Sequence, residues 1–397
     1  MKKKILVYCQ YVLGVGHFFR TLEIIRALEG FDVILVTGGR AVDAPLPGHV
    51  RHRELPGLMM DAGFTSLHGV DALDVDEIKQ RRTKMLLDLV RQESPDLALI
   101  ELYPFGRKAF GFELEPMLEF LRQGEKPCRV VCSLRDILVE KTDTAAYETR
   151  VVKRLNRWFD AVFIHSDPRL VDLVRTFSRA SDIRIPLVYT GFVTPLPDPA
   201  AANAHRLRLA PDPKHALIIV STGSGSVGAG LLKACVRAHG LLTSPEKSRM
   251  LVLTGPYMDG TDVRQIRDLA GPGVLVETFV RDFVSLLFAA DLSVSMAGYN
   301  TLMNTVAARV PALVWPFGQN REQALRAGTL AGFAEIRLLE DSDLDPGALA
   351  FLMQNCLDRR NSNCLKDSLS EAVLIGAADA VNLSGAATTA KLVTEML

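Results

Sequence analysis

Two successive α/β domains, each a doubly wound parallel sheet, are predicted from short apolar runs that alternate with amphipathic stretches. The length of 397 residues suits two domains of ordinary size, and 48% hydrophobic residues suffice for two cores. Strands that are apolar throughout are typical of a sheet that helices cover on both faces.

The first domain is predicted over residues 1–193, where apolar strands and helical stretches follow each other in turn. Its predicted strands are residues 4–9, 32–37, 97–102, 129–134, 161–165 and 187–190. Its predicted helices are residues 20–28, 77–93 and 113–123.

Residues 194–213 are predicted to be a linker, because a proline-rich stretch and an alanine-rich polar segment break the pattern there. The pattern restarts in a second domain over residues 214–377. Its predicted strands are residues 216–221, 250–254, 274–277, 292–295, 312–315 and 334–338, with helices at 230–239 and 283–289. Residues 378–397 are predicted to form a C-terminal helix that crosses back to the first domain.

The composition excludes several classes of protein. With 46 basic and 46 acidic residues, the balanced charge argues against a nucleic-acid binder driven by bulk charge. The six cysteines form no CxxC pair and no zinc-binding spacing, which favours reduced thiols in the cytoplasm. No apolar stretch approaches the roughly 18–20 residues of a membrane span, so at most peripheral contact with the inner membrane face is expected.

Two glycine turns follow strands of the second domain, and both suit a phosphate or diphosphate. The first turn comprises Gly223, Ser224, Gly225 and Ser226. The second turn comprises Gly298, Tyr299, Asn300 and Thr301, and it leads into a helix. Backbone N–H groups in such turns, and the positive end of a helix dipole, attract anions.

Polar side chains near the second turn suit the rest of a nucleotide sugar. Asn304 lies one helical turn further on, where its amide is placed to hydrogen-bond a ribose. The polar stretch Gln319-Asn320-Arg321-Glu322-Gln323 follows the next strand and suits sugar hydroxyls. A nucleotide-sugar site is therefore predicted.

The first domain carries Gly14-Val15-Gly16-His17 after its first strand. A dinucleotide fingerprint is disfavoured, because Phe19 replaces the third glycine and no acidic residue follows the second strand. His17 at a helix N-terminus tends to stay neutral, as a general base near neutral pH requires. A histidine that only caps or packs is the structural alternative.

Several stretches together resemble one group of proteins. They are Gly14-Val15-Gly16-His17, Tyr103-Pro104-Phe105-Gly106-Arg107, Ser133-Leu134-Arg135-Asp136-Ile137, His165-Ser166-Asp167-Pro168-Arg169, Tyr189-Thr190-Gly191 and Gly298-Tyr299-Asn300-Thr301. The chain resembles GT-B glycosyltransferases, and more closely a bacterial family of predicted glycosyltransferases. That family is related to the N-acetylglucosaminyltransferase that forms lipid II.

The resemblance implies a GT-B fold, with two Rossmann-like doubly wound parallel-sheet domains facing a central cleft. The second domain would hold a nucleotide-sugar donor, taken to be a UDP-sugar, and the first an unknown acceptor, such as a lipid-linked or cell-surface glycan precursor. The resemblance implies that the segment Phe279-Val280-Arg281 lies beside the base and that residues 223–226 and 298–301 hold the diphosphate. It also implies that Glu322 and Gln323 bind the sugar hydroxyls. His17 would act as the base or orient the acceptor, and Gly14, Gly16 and Glu101 are expected on the acceptor side.

Asn304 departs from this resemblance, because relatives usually carry a glutamate there that holds the ribose hydroxyls. No DxD pair is apparent in the predicted cleft, so neither a metal nor another cofactor is expected. Retaining relatives resemble one another in a pair of glutamates eight positions apart, whereas this chain has no glutamate between Glu277 and Glu322. An inverting transfer is therefore favoured.

Three alternatives stay open on the sequence. A nucleotide-sugar 2-epimerase on the same fold would carry a glutamate-rich donor motif, which is absent here. A nucleotide-sugar hydrolase would use His17 in the same way, with water in place of the acceptor. A binding protein with weakened chemistry is suggested only by Asn304.

Overall fold

The computed structural model describes residues 2–12, 15–40, 42, 44–60, 66–70, 74–124, 126–138, 143–318, 321–361 and 381–397. The chain divides into two compact units. The first unit comprises residues 1–193 and 384–397, and the second comprises residues 194–383.

The first unit is built on a seven-stranded parallel sheet in the order β3-β2-β1-β6-β7-β8-β9. Its strands are β1 (Lys4–Tyr8), β2 (Asp32–Thr37), β3 (Val50–Glu54), β6 (Leu97–Glu101), β7 (Arg129–Arg135), β8 (Ala161–His165) and β9 (Leu187–Tyr189). Strands β4 (Leu58–Met60) and β5 (Leu67–Gly69) form a separate antiparallel pair. The helices before residue 193 are α1 (Gly16–Arg26), α2 (Val75–Glu93), α3 (Gly111–Gln123) and α4 (Thr144–Trp158).

The second unit contains a six-stranded parallel sheet in the order β12-β11-β10-β13-β14-β15. Its strands are β10 (Ala216–Ser221), β11 (Ser248–Leu253), β12 (Val274–Glu277), β13 (Leu292–Met296), β14 (Ala312–Trp315) and β15 (Ile336–Leu338). Its helices are α5 (Pro199–Leu209), α6 (Ala229–His239), α7 (Gly260–Leu269), α8 (Phe283–Phe288), α9 (Tyr299–Ala308), α10 (Arg321–Leu330) and α11 (Pro346–Asn361). Short 3₁₀ turns cover Lys108–Phe110, Leu173–Arg175, Ala180–Asp182, Pro245–Lys247 and Asp341–Leu344.

Alternation along β1 divides its apolar side chains between two cores of the first unit. On β1, Leu6 and Tyr8 pack into a cluster with residues of α2, α3 and α4, whereas Ile5 and Val7 pack into a second cluster with α1. Successive side chains of a strand point to opposite faces, so an apolar strand requires helices on both sides. The predicted doubly wound arrangement is confirmed.

The last helix, α12 (Gly385–Met396), belongs to the first unit and packs against α1. Val393 is fully buried in the same cluster as Ile5 and Val7. The C-terminal helix was predicted from residue 378, but residues 378–380 lie outside the described residues.

Residues 194–213, predicted as a linker, belong to the second unit and hold α5. Asp198 caps this helix by accepting from the Ala200 N–H at 2.9 Å, and Pro199 occupies the first helical position. Arg206 Nη1 donates to Asp291 Oδ2 at 2.7 Å, which ties α5 to the start of β13. The proline that suggested a linker therefore starts a helix.

No helix among the described residues is long and apolar enough to cross a membrane. Trp158, the last residue of α4, follows the basic residues Lys153, Arg154 and Arg157 and is buried. Its Nε1 donates to Glu119 Oε2 at 2.8 Å. This tryptophan therefore packs within the first unit.

A buried ion pair joins α2 to α3 behind the first sheet. Arg82 Nη2 donates to Glu113 Oε1 at 2.5 Å, and neither side chain is exposed. Arg82 also donates to Gln10 Oε1 at 2.8 Å, and Tyr8 donates its hydroxyl to Glu113. A buried charge network of this kind is costly to break, because the remaining partner keeps its charge without water.

We expect Arg82→Met to lower the free energy of unfolding of the first unit by about 3–5 kcal/mol, since it leaves Glu113 buried and unpaired. Arg129→Gln is the matched control, because its ion pair with Asp160 is made by a side chain that is 57% exposed. The control is expected to cost less than about 1 kcal/mol. Urea unfolding measures both, and an equal effect of the two substitutions would contradict this account.

Candidate active site

In the first unit, His17 and Glu101 lie in contact at the point where the strand order of the sheet reverses, between β1 and β6. The chain leaves β1 toward β2 on one side, whereas β6 lies on the other side of β1. His17 lies in the first turn of α1, and Glu101 is the last residue of β6. His17 Nδ1 lies 2.6 Å from Glu101 Oε1. This switch point is where ligands bind in doubly wound sheets.

The structure describes one of the two predicted glycines of this region, Gly16. Gly16 is exposed and is the first residue of α1, so the helix begins two residues before Phe18, near which the sequence predicts its start. Gly14 lies outside the described residues. Neither the acceptor-side role of these glycines nor that of Glu101 is tested by the structure, and all three stay predictions.

Two arginines that the sequence analysis did not select also surround Glu101. Arg20 Nη2 donates to Glu101 Oε1 at 2.5 Å, and both side chains are almost fully buried. Arg107 Nη2 lies 3.8 Å from Glu101 Oε2. Arg20 stands one turn after His17 on α1, a spacing that places both on the same helix face. That spacing is the one signal in the sequence that could have indicated Arg20.

The electrostatics of the cluster favour a neutral His17. Burial lowers the pKa of His17 to about 4, against the opposing pull of Glu101, and Arg107 and Arg20 lower it further. Burial raises the pKa of Glu101, but its contacts with His17, Arg20 and Arg107 outweigh burial and lower the pKa to about 2. A carboxylate can only accept, so neutral His17 donates its Nδ1–H to Glu101. Nε2 then keeps a lone pair for a proton.

A second histidine near this cluster has a structural role. His165, at the end of β8, is fully buried. Its Nε2 lies 2.7 Å from Ser133 Oγ, and its Nδ1 lies 2.9 Å from Thr190 Oγ1. Burial lowers the pKa of His165 to about 3. Both ring nitrogens are thus occupied, which ties β8 to β7 and to the residues after β9.

In the second unit, the loop after β10 is shaped by glycines. Gly223 and Gly225 have φ of +70° and +85°, in the left-handed region that favours glycine. A Cβ on Gly225 would lie 2.2 Å from the carbonyl oxygen of Thr254, whereas one on Gly223 would meet nothing within 4 Å. Gly223 and Ser226 are exposed, and Ser224 is half-buried. The loop therefore packs on its Gly225 side and leaves Gly223 open.

The second predicted turn lies beside this loop. Ser221 at the end of β10 pairs with Ser295 near the end of β13, so the two following loops leave the same edge of the sheet. Gly298 caps α9 with extended backbone angles, so the helix begins at Tyr299 and Thr301 falls in its first turn. A Cβ on Gly228 would lie 2.6 Å from Met296 Sδ, which shows how closely the two segments approach.

The side chains of this turn face different surroundings. Gly298, Asn300 and Thr301 are half-buried, whereas Tyr299 is only 7% exposed. The guanidinium carbon Cζ of Arg326 lies over the ring of Tyr299, 5.5 Å from the ring centroid. Tyr299 therefore anchors the turn by packing. The sequence prediction that residues 298–301 bind phosphate stays a prediction.

Asn304 is engaged within its own unit. Thr194 Oγ1 donates to Asn304 Oδ1 at 2.8 Å. The amide oxygen is thereby occupied, and the amide nitrogen of this half-buried side chain is left as a donor. A glutamate at this position would offer only acceptors.

The remaining predicted donor residues lie further out along the same sheet edge. Val280 and Arg281 follow β12, with Val280 half-buried and Arg281 exposed. Glu322 and Gln323 lie in the first turn of α10, after β14. Gln323 Oε1 accepts from the Phe317 N–H at 3.0 Å, which fixes the side chain against the preceding loop. Residues 319 and 320 lie outside the described residues.

In the part of the chain that the structure describes, no group of three or more His, Cys, Asp or Glu side chains is arranged to hold a metal ion. The described cysteines are unpaired: Cys9, Cys128, Cys132, Cys235 and Cys356.

The low pKa of His17 predicts how stability depends on pH. We expect imidazole NMR to show His17 titrating near pH 4, well below the ordinary value of 6.5. Between about pH 6.5 and pH 4, His17 is therefore protonated in the unfolded chain but not in the folded protein. The free energy of unfolding falls as the pH falls through that window. Buried His165 contributes with the same sign.

His17→Gln removes one of these groups and is expected to reduce the slope of unfolding free energy against pH in that window. His68→Gln is the matched control, because His68 is exposed on β5. A His17 that titrates at or above 6.5, or equal slopes in the wild type and His17→Gln, would contradict a neutral imidazole.

Residues 218–381 match the family described as glycosyltransferase family 28 C-terminal domain. A relative in Mesorhizobium japonicum is 29% identical over 165 residues, which are 40% of this chain and 43% of that protein. It is named UDP-N-acetylglucosamine–N-acetylmuramyl-(pentapeptide) pyrophosphoryl-undecaprenol N-acetylglucosamine transferase. The chain thus spans less than half the length of this curated relative.

Solved glycosyltransferase structures share the fold over the whole chain. CalG4, the calicheamicin glycosyltransferase, has a TM-score of 0.62 and 15% identity, covering 100% of this chain and 99% of that one. MurG of Acinetobacter baumannii has a TM-score of 0.58 and 17% identity, covering 99% of both chains. The predicted resemblance to GT-B glycosyltransferases related to the lipid II-forming enzyme is confirmed. The chain has the GT-B fold, and its second unit is similar in sequence to the C-terminal domain of glycosyltransferase family 28.

Proposed function

We propose that the protein is an inverting, metal-independent glycosyltransferase that moves a sugar from a nucleoside diphosphate donor to a hydroxyl acceptor. The observation that carries this proposal is the order of the predicted donor residues along one edge of the second sheet. Residues 280–281 follow β12, residues 223–226 follow β10, residues 298–301 follow β13, and residues 322–323 follow β14.

This order matches the parts of a nucleotide sugar. Four strand spacings separate β12 from β14, which is about 19 Å. The base would lie at the β12 end, the diphosphate between β10 and β13, and the sugar at the β14 end. Exposed Gly223 and the start of α9 supply backbone N–H groups and a helix dipole for the diphosphate.

UDP is the proposed nucleotide. The support is the match of residues 218–381 to a glycosyltransferase domain, together with the relative in Mesorhizobium japonicum that is named for UDP-N-acetylglucosamine. The sugar and the acceptor of this chain are not fixed by that similarity. We propose a cytoplasmic protein that is at most peripheral at the inner membrane face.

In the proposed reaction, His17 Nε2 takes the proton of the acceptor hydroxyl while the hydroxyl oxygen attacks the anomeric carbon. The bond from that carbon to the diphosphate oxygen breaks at the same time, and the nucleoside diphosphate leaves with the electron pair. A single displacement inverts the anomeric configuration. Glu101, which accepts from His17 Nδ1, stabilises the imidazolium that forms. Backbone N–H groups stabilise the leaving diphosphate, so the proposed step requires no metal.

The proposal is tested with the full chain, a panel of nucleotides and nucleotide sugars, and a panel of hydroxyl acceptors. Thermal shift first identifies the donor, and NMR of the product then determines its anomeric configuration. We expect His17→Ala to lower kcat by about 10²- to 10⁴-fold, the usual worth of a general base, while donor affinity stays unchanged. His68→Ala serves as the control and is expected to retain full transfer.

Other outcomes of this experiment identify the alternatives. Transfer at near wild-type rate in His17→Ala excludes the proposed base, and a product of retained configuration excludes inversion. An epimer formed from the UDP-sugar alone indicates a 2-epimerase. Donor breakdown at the same rate with and without acceptor indicates a hydrolase.

Asn304 gives a further prediction about donor binding. We propose that its amide N–H donates to a ribose oxygen, with the side chain oriented by Thr194. Asn304→Ala should weaken nucleotide binding by about 1 kcal/mol, roughly fivefold, as expected for one hydrogen bond. Thr194→Val removes only the orienting contact and should cost less. Calorimetric titration with UDP measures both.

A sugar-transfer assay of Asn304→Glu beside the unmodified chain tests the weakened binding protein that Asn304 suggests, and the UDP titration tests the ribose contact. If Asn304→Glu creates sugar transfer that the unmodified chain lacks, the binding protein is the better reading. If Asn304→Ala binds UDP as tightly as the wild type, the proposed ribose contact is wrong.

A further inference from the structure

Arg107 is a buried cation, and two of its three side-chain nitrogens make no hydrogen bond among the described residues. Its side chain is 7% exposed, and its Nε and Nη2 atoms are buried without a hydrogen-bond partner among the described residues. Its closest acidic group is Glu101, at 3.8 Å from Nη2. Guanidinium N–H groups that have lost their water and gained no hydrogen-bond acceptor are costly, so such groups call for a ligand.

Glu101 does not satisfy this arginine, although its second oxygen is near. Glu101 Oε1 already accepts from Arg20 at 2.5 Å and lies 2.6 Å from His17 Nδ1. Glu101 Oε2 is buried and makes no hydrogen bond within the described residues. Since Arg20 already draws on the one negative charge of Glu101, the charge of Arg107 stays largely unmatched.

The backbone around Arg107 is held in an uncommon conformation. Arg107 has φ of +57° and Leu102 has φ of +65°, so residues of the left-handed region stand at both ends of the loop after Glu101. This conformation is unfavourable for a side chain other than glycine, and such strain is concentrated at functional sites. A Cβ on Gly106 would lie 2.6 Å from Leu102 Cδ2, so the loop is also tightly packed.

We infer that Arg107 binds a carboxylate of the acceptor, beside the hydroxyl that His17 deprotonates. This inference rests on the proposed function and names the acceptor as a hydroxyl-bearing acid. The planar fork of a guanidinium matches the two oxygens of a carboxylate. One unmatched positive charge suits a single negative charge, whereas a phosphate monoester carries nearly two at neutral pH.

His17 and Arg107 both contact one carboxylate, that of Glu101, on opposite oxygens. The acid of the acceptor and its reacting hydroxyl would therefore be close neighbours on the same molecule. Acceptors whose hydroxyl is far from any acid, or that carry no acid, would leave Arg107 unsatisfied and would bind poorly.

The test uses the full chain and simple anions as probes, without any donor. Thermal unfolding is followed in sodium acetate, sodium phosphate and sodium chloride at equal ionic strength and pH. We expect acetate to raise the unfolding midpoint of the wild type above its value in chloride. Arg107→Gln should lose at least half of that rise, whereas Arg129→Gln, an exposed arginine of the same unit, should keep it.

Arg107→Lys and arginine side-chain NMR keep the test decisive if Arg107→Gln fails to fold. One Nε–H signal of the wild type, absent from Arg107→Lys, should shift as acetate is added. The inference is overturned if acetate acts like chloride on the wild type, if the Arg107 variants respond as the wild type does, or if phosphate but not acetate acts through Arg107.

Failure of this inference and failure of the proposed function are distinguishable. If acetate stabilises the protein through Arg107 but no sugar is transferred to any acceptor, the anion site is supported and the proposed glycosyltransferase activity is wrong. If sugar transfer is observed but the acetate effect on the unfolding midpoint does not depend on Arg107, only the inference of an acidic acceptor is wrong.

Discussion

The divergence of the chain at the middle of each parallel sheet is the constraint on which the other features depend. At this point the connections that follow two adjacent strands run to opposite sides. The two loops therefore separate and leave backbone groups accessible at the carboxyl ends of the strands. In the first unit this point lies between β1 and β6, and in the second between β10 and β13. His17 with Glu101 occupies the first point, and the Gly223 and Gly298 loops occupy the second.

Close packing then determines which residues these loops accept. Gly225 lies so near the loop after β11 that a side chain would overlap the carbonyl oxygen of Thr254, and Gly255 approaches Ser224 as closely from the other side. Ser224 also accepts from the Tyr257 N–H at 2.9 Å. The two loops therefore support each other, and Gly223 keeps its exposed position without a side chain of its own.

Charge governs the first unit in a comparable way. Among the described residues, Glu101 is the acidic group that lies next to His17, Arg20 and Arg107, and its burial strengthens its short contacts with His17 and Arg20. Two arginines hold the carboxylate ionised, so the histidine need not carry a charge to satisfy it. As a consequence, the positive charge of Arg107 is only partly balanced by Glu101. A negatively charged ligand would bind to this charge.

The sequence predicted the parts of the fold that depend on local patterns. The apolar strands β1, β6 and β10 were found because fully buried strands read as continuous apolar runs. Strand β3 was missed, since Val50–Glu54 lies at the sheet edge and carries two arginines, a histidine and a glutamate. Helix α5 was taken for a linker, although Asp198 and Pro199 together form a helix start signal.

The candidate site was predictable only in its glycines, its histidine and its polar side chains. Arg20 was missed because its partner Glu101 lies 81 positions away, and no periodicity connects residues so distant. Arg107 was visible only as part of a family-like stretch, and packing alone determines that its Nε and Nη2 make no hydrogen bond among the described residues. The contact between Thr194 and Asn304 spans 110 positions and was invisible for the same reason.

The most direct measurement is an amide NMR titration of the full chain with UDP. The account predicts that the largest shifts occur at the amides of Gly223, Ser224, Gly298 and Thr301, the loops that leave β10 and β13. Largest shifts at other segments, or no saturable shift at any amide, would contradict a diphosphate site at the switch point of the second sheet.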